Sequence, residues 1–135
     1  MERVYFLTIS QLIDRLCIVT LKSIKIAENK EEYEKEALEI MHDLCLILGD
    51  KQGTLIRAIQ LNAIANLTIW ENETKARTGG NEQDKMLKFT HSVNGVRTHS
   101  MNVISSLVGE RKDLKADCIA ADLCKSNGYD FNIIL

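Results

Sequence analysis

Residues 54–77, TLIRAIQLNAIANLTIWENETKAR, run for 24 positions without a proline or a glycine. The two residues that most disfavour a helix interior are absent, so the stretch predicts one long helix. Thr54 is its expected cap, and Gly79 and Gly80 follow its end. The same reading extends outward, because the 135-residue chain has no proline, seven glycines and long 3.6-residue hydrophobic periods; together these predict an all-α fold.

Helix 1 is expected from Ser10 to Glu28, with Thr8 and Gln11 at capping-box spacing. Leu12, Leu16, Val19, Ser23 and Ile26 share one side of it, while Asp14, Arg15, Lys22, Lys25 and Glu28 fall opposite. Helix 2 spans Lys30 to Leu48 and stops at Gly49. Its apolar side carries Tyr33, Ala37, Ile40, Met41, Leu44, Cys45 and Leu48. Asp50 to Gly53 reads as a turn. Asn81 caps a fourth long helix reaching Val108, and a short fifth runs from Leu114 to Lys125, closed by Asn127 and Gly128. No linker divides residues 1–135, so a single helical domain is expected. The ends Val4–Leu7 and Phe131–Leu135 are β-prone, able to pair as a short β ribbon or to pack on a neighbouring subunit. Apolar ends are a liability for a monomer, and the expectation is a homo-oligomer.

Composition narrows the function classes. A net charge of −2 gives no electrostatic footprint for a nucleic acid polymer. No run of 18 apolar residues exists to cross a membrane. Arg3 precedes apolar residues, but Asp14 and Arg15 cut the run and no small-residue cleavage site follows, so a leader is not expected. Cys17, Cys45, Cys118 and Cys124 form no C-x-x-C pair and lie among aliphatic residues, as reduced core cysteines do. The expected location is therefore cytoplasmic, or the host cytoplasm for a viral gene.

One irregularity stands out on the third helix. Its wheel sets Leu55, Ile56, Ile59, Ala63, Leu67, Ile69, Trp70 and Ala76 in one half, together with Asn62, Asn66, Glu73 and Arg77. Steps of about 4 and 7 residues return to one side of a helix, so these four polar residues form a stripe. The other half already holds a set expected to be solvated: Arg57, Gln60, Thr68, Glu71, Asn72 and Lys75. On helix 4, Arg97 falls among Met86, Phe89, Val93, Val96, Ile104 and Leu107, with Asn94 at the border. His91 and His99 point to the polar side and are set aside as ligands.

Two readings account for the misplaced polar residues. In the structural one they form a satisfied hydrogen-bond or interface network, with Glu73 and Arg77 as a favourable (i, i+4) pair. In the functional one they line a cleft between helices or subunits. Arginine forks suit phosphate or carboxylate, asparagine suits a base edge or hydroxyl, and Trp70 offers a stacking face. That set fits a small anionic, nucleotide-like ligand, and in a virus its use would be to sequester a host nucleotide signal. No cofactor is implied.

Catalytic signatures are sparse. Neither G-x-x-x-x-G-K-[ST] nor G-x-G-x-x-G is present, nor is H-E-x-x-H. Glu36 and Glu39 supply the first half of a helical magnesium site, and the second half, E-x-x-D, is missing. Asp113, Asp117 and Asp122 have no metal-site spacing, and His42-Asp43 has no preceding histidine. The expectation is a non-enzymatic binding protein without catalytic or metal-binding residues. A protein-interaction module using the polar stripe is the second reading, and a metal-dependent nucleotide hydrolase the third.

Three segments, ISQLIDRLCIVTLKSIKI, NLTIWENETKAR and VNGVRTHSMNVI, resemble a family of short uncharacterised helical proteins of bacteria and phages. The family pattern opens with ELIDK-I-I-K, then N-x-x-L-W-x-x-E-x-x-x-R, then N-x-x-R. It maps onto Asp14, Arg15 and Lys22, onto Asn66, Trp70, Glu73 and Arg77, and onto Asn94 and Arg97. The resemblance covers about the first 105 residues and leaves 113–135 outside. It implies no activity, but adds Asp14 and Lys22 to the candidate ligand-binding residues Asn62, Asn66, Trp70, Glu73, Arg77, Asn94 and Arg97. Replacing Arg77 and Arg97 by alanine separates the readings. Retained folding with lost ligand binding marks a pocket; loss of the folded oligomer marks a structural network.

Overall fold

The structure, a computed structural model, describes residues 6–77, 83–110, 124–125 and 127–135, with backbone alone at 76–77 and 83–84. It is an all-α bundle of α1 (Ile9–Lys25), α2 (Lys30–Leu48), α3 (Gln52–Arg77) and α4 (Gln83–Val108), followed by an irregular tail over 129–135. Most of the expected fifth helix and the expected cap Asn81 lie outside the described residues. So do Val4 and Tyr5 of the ribbon, and among the described residues there is no strand.

The first helix starts where its capping box places it. Thr8 Oγ1 accepts from Gln11 N at 3.2 Å, and Gln11 Oε1 accepts from Thr8 N at 2.8 Å. It ends at Lys25 rather than Glu28. Ile26 turns extended and donates to Lys22 O, while the Ile24 carbonyl accepts from Asp130 N at 2.8 Å. The tail thus takes a helix-end carbonyl that a further turn would have used.

The second turn is shorter than DKQG suggested, only residues 49–51, and α3 starts three positions earlier than a Thr54 cap implies. Gly49 and Lys51 both have positive φ, 126° and 70°, and α3 begins at Gln52, so Thr54 is inside the helix. Gly53 follows at a close crossing of α2 and α3. A Cβ there would sit 2.1 Å from the Met41 carbonyl oxygen, and the Gly53 N–H reaches Cys45 Sγ at 3.3 Å.

Two apolar cores result. Leu12, Leu16, Val19, Ala37, Ile40, Met41 and Leu44 close the α1–α2 hairpin, as their periodicity predicts. Leu61, Ala65, Phe89, Val93 and Val96 close the α3–α4 hairpin together with Ile24, Cys124, Phe131 and Ile133. Among the described helices, the fourth packs on α3 alone. The tail joins it to α1: Phe131 and Ile133, expected in a ribbon or on another subunit, are buried in this core. Cys124 is the core filler expected of it, its thiol pushed up to about 11 by burial. Cys17 and Cys45 are free and half-buried, and Cys118 lies outside the described residues.

The third helix faces the other way from its wheel. Arg57, Thr68 and Asn72, expected in water, are only 0%, 6% and 9% exposed, whereas Ile59, Leu67 and Trp70 are 52%, 55% and 67% exposed. The reason is that the inward polar groups find partners: Thr68 Oγ1 donates to Ile64 O at 2.8 Å, and Asn72 to Met86 O and Thr90 Oγ1. Gln60 Nε2 donates to Ile13 O at 3.0 Å, although its buried Oε1 has no partner among the described residues. Glu71 and Lys75 are exposed, as expected.

Arg57 sits where the α1, α2 and α3 helices and the tail converge. Its guanidinium forks onto Glu34, Nη2 to Oε1 at 2.7 Å and Nη1 to Oε2 at 3.0 Å. Nε donates to Thr20 Oγ1 at 3.2 Å, and Nη1 also donates to the Ile134 carbonyl at 2.7 Å. The Ile134 N–H returns to Glu34 Oε2 at 3.3 Å. Burial alone would raise the Glu34 pKa, but the Arg57 hydrogen bonds and charge, with Ser23 and the Ile134 N–H, outweigh it and hold the carboxyl below its usual range.

Breaking such a pair leaves a buried charge unmatched. Arg57→Ala is expected to lower stability by about 3–5 kcal/mol in urea unfolding, whereas Arg57→Met with Glu34→Leu recovers much of that loss. Since the folded Glu34 pKa is depressed, its contribution is complete above the unfolded value of about 4.3 and fades as pH falls through the folded value. Glu34→Gln therefore flattens the acid limb of a stability–pH curve. Gly53→Ala is expected to cost about 1–3 kcal/mol in the same unfolding experiment, because backbone must move to admit the methyl group.

Candidate functional site

The last turns of helices end in unpaired carbonyls, which favour nearby cations. Lys25 closes α1, and Lys75 lies in the last turn of α3. Antiparallel pairing of α3 with α4 brings Lys85 and Lys88, near the start of α4, to the same end of the molecule. All four lysines line a cleft of about 760 Å3, and among the described lining residues only Glu71 opposes them in charge.

The floor of the cleft is built from polar groups with structural partners. Asn72 holds α3 to α4 through Met86 O and Thr90 Oγ1, and Thr68 bonds back to its own helix. Tyr129 forms a wall. Its ring carries Lys25 Nζ 3.8 Å from the centroid, stacks on Phe131 at 5.7 Å and 4°, and tilts against Phe89 at 5.3 Å. The turn before it is closed by Asn127, Gly128 and Tyr129 N–H groups, with Gly128 at φ 84°. Asp130 then ties this corner down, its carboxylate 3.4 Å from Lys30 Nζ and 3.9 Å from Lys125 Nζ. A ring already engaged by three neighbours gives the cleft a firm wall, while the lysine ammoniums give it charge.

Of the nine residues picked from the sequence, none of the eight with described side chains lines this cleft. Asn62 donates to Ser100 Oγ at 3.1 Å, across the α3–α4 contact, and Asn66 Nδ2 returns to Asn62 O and Oδ1, each at 3.0 Å. Those two amides are brought together; Trp70 stands exposed beyond them. Glu73, Asn94 and Arg97 are half-buried, and the Arg97 carbonyl accepts from Ser100 Oγ at 2.7 Å. The Arg77 side chain, and with it the expected Glu73–Arg77 pair, lies outside the described residues. On α1, Asp14 is exposed and Lys22 Nζ stands 5.7 Å from the Tyr33 ring centroid.

The residues that do line the cleft left one trace in the sequence. Lys75, Lys85 and Lys88 stand astride the Gly79-Gly80 break, the point where two helices must reverse. Lys25 and Tyr129 are joined to them only by the fold. Elsewhere, the half magnesium site is engaged otherwise: both oxygens of Glu36 accept from Arg15, at 2.9–3.3 Å. Among the described residues no three His, Cys, Asp or Glu side chains are grouped to hold a metal ion. No helix among them is long and apolar enough to cross a membrane. Comparison with known proteins finds no matching family model, no matching curated protein and no matching solved structure.

Proposed function

We propose that this chain is a non-enzymatic binding protein that captures a small, phosphate-bearing anion of nucleotide type in the lysine-lined cleft. The observation that carries this reading is the charge of the lining, four ammonium groups against one carboxylate around about 760 Å3. Sites for small ligands commonly enclose about 300–1,000 Å3. The ligand is held chiefly through its phosphates, since Trp70, the expected stacking face, is on another side of α3 and Tyr129 is engaged within the wall. Such binding is electrostatic and weakens with salt. The chain acts in a reducing compartment, where its free cysteines persist as thiols.

A second reading, a protein-interaction module, is favoured by a different observation. Ile59, Leu67 and Trp70 expose more than half of their surface on one side of α3.

Thermal denaturation with tripolyphosphate, ATP and cyclic dinucleotides, with and without magnesium, tests the first reading. Ligand at 100 times its Kd adds about 2.7 kcal/mol to stability, a rise of several degrees in Tm. The rise is expected to shrink at high salt and to vanish in Lys85→Glu/Lys88→Glu, with the ligand recovered unchanged. Recovery of hydrolysed ligand would instead establish an enzyme. No shift at millimolar ligand would overturn the proposal.

A further inference from the structure

Two lysines where α1 passes into α2 are held in different ways. Lys30 is spent on the fold: Nζ donates to the Ser23 carbonyl at 3.0 Å and to the Asp130 carbonyl at 3.2 Å, with the Asp130 carboxylate 3.4 Å away. Lys25, the last residue of α1, is held by a ring instead, its Nζ 3.8 Å from the Tyr129 centroid. The face of a ring attracts an ammonium through its quadrupole, so it orders Lys25 without using up the three N–H donors. The ring itself is fixed. It stacks on Phe131 and tilts against Phe89, both 3% exposed, and the Tyr129 N–H donates to the Cys124 carbonyl at 3.0 Å. Lys25 and Tyr129 both line the cleft.

We propose that Tyr129 is a positioning residue: by holding the Lys25 ammonium at the cleft, it completes a lysine set that selects a linear chain of linked phosphates over a single phosphate. The proposal rests on the anion-binding reading above and names the class of anion. Among the described lining residues four ammoniums oppose one carboxylate, a net of three positive charges. A single phosphate group carries about −1.5 to −2 at neutral pH and leaves part of that charge unmatched, whereas the phosphate chain of a nucleoside di- or triphosphate matches it. The ammoniums also come from three helices, Lys25 from α1, Lys75 from α3, and Lys85 and Lys88 from α4. An anion extended enough to meet more than one helix gains contacts that a compact one forgoes. Immobilising a flexible side chain on binding lowers affinity, and a lysine already ordered over a ring has little of that freedom left to lose.

In the free protein, nuclear magnetic resonance is expected to find the Lys25 ε-methylene protons shifted upfield by the Tyr129 ring current, and Tyr129→Leu to abolish the shift. Calorimetric titration of the full chain with sodium tripolyphosphate, pyrophosphate and orthophosphate reads the selectivity. Both linked phosphates are expected to bind more tightly than orthophosphate, tripolyphosphate by about tenfold or more. Tyr129→Leu is expected to weaken tripolyphosphate binding about 2–10-fold with unchanged salt dependence, because the charge is still present. Tyr129→Phe keeps the ring face and binds as wild type. Lys25→Met weakens binding and flattens the salt dependence, and adding Tyr129→Leu to it weakens binding no further. Lys25 is exposed, so its replacement stays informative where a Tyr129 variant loosens the tail. Lys25 protons without a ring-current shift overturn the proposal, as do equal affinities for the three phosphates, wild-type binding by Tyr129→Leu, or additive losses in the double variant. Those results leave anion binding at the cleft standing; absence of binding by all three phosphates overturns both.

Discussion

A guanidinium withdrawn from water costs several kcal/mol unless its donors are met, and Arg57 is wholly buried. Meeting it organises three helices and the tail: Glu34 comes from α2, Thr20 from α1, and the Ile134 carbonyl from the last residues of the chain. Each partner is itself supported. Thr20 Oγ1 donates to Leu16 O at 2.8 Å, and Glu34 accepts the Ile134 N–H. Hydrophobic residues of similar volume could hold the same helices together, since a buried pair returns little net stability. What the pair adds is a unique position, because a fork satisfied at four points tolerates no sliding of α3 along α2. The glycine at position 53 works with it, letting the two backbones approach where Met41 leaves no room for a methyl group.

The α1 and α2 helices were legible because their charges and their apolar residues fall on opposite sides. Thr8, Gln11 and Gly49 then marked ends that the structure keeps. The α3 helix was legible as a helix and misleading as a face. Its two sides are nearly equal in hydrophobicity, so a wheel that sends leucine and tryptophan inward has nothing to correct it. Only knowledge of Glu34, Thr20 and Ile134, 23, 37 and 77 residues away, reveals why Arg57 goes inside. The same distance problem hid the cleft. Lys75, Lys85 and Lys88 are near neighbours in sequence, but Lys25 and Tyr129 join them through packing that no local period records. Phe131 and Ile133 were correctly seen as needing cover; the cover is the chain's own α3–α4 hairpin.

Inverting α3 also changes what its candidate residues mean. Asn66 is bonded to Asn62 and Asn62 to Ser100, which sets Asn62 in the α3–α4 seam and Asn66 on the uncharged strip beside it. Two of the positions that carry the resemblance on α3, Asn66 and Trp70, therefore lie on the outer strip and away from the lysines. The lysine-lined cleft and the exposed apolar strip thus lie on different sides of one helix. That separation explains why no single amphipathic pattern describes it: one side borders the lysines and the other exposes apolar side chains.

The tail connects the cleft to the buried pair. Tyr129 is a wall of the cleft, and Ile134, five residues on, completes the shell of Arg57. Between them Asp130 bonds Ile24 through its N–H and Lys30 through its carbonyl, so the segment is held at both ends and in the middle. Extended chain covers about 3.3–3.6 Å per residue, and a strap so short and so fully bonded has little slack. If the cleft takes an anion as proposed, drawing Lys25, Lys85 and Lys88 together would firm the wall at Tyr129. It would then also resist the release of Ile134 that unfolding around Arg57 requires. Binding energy at the cleft would in this way be felt by the whole bundle through linkage, and the charge pair at its centre is what gives the strap something to hold.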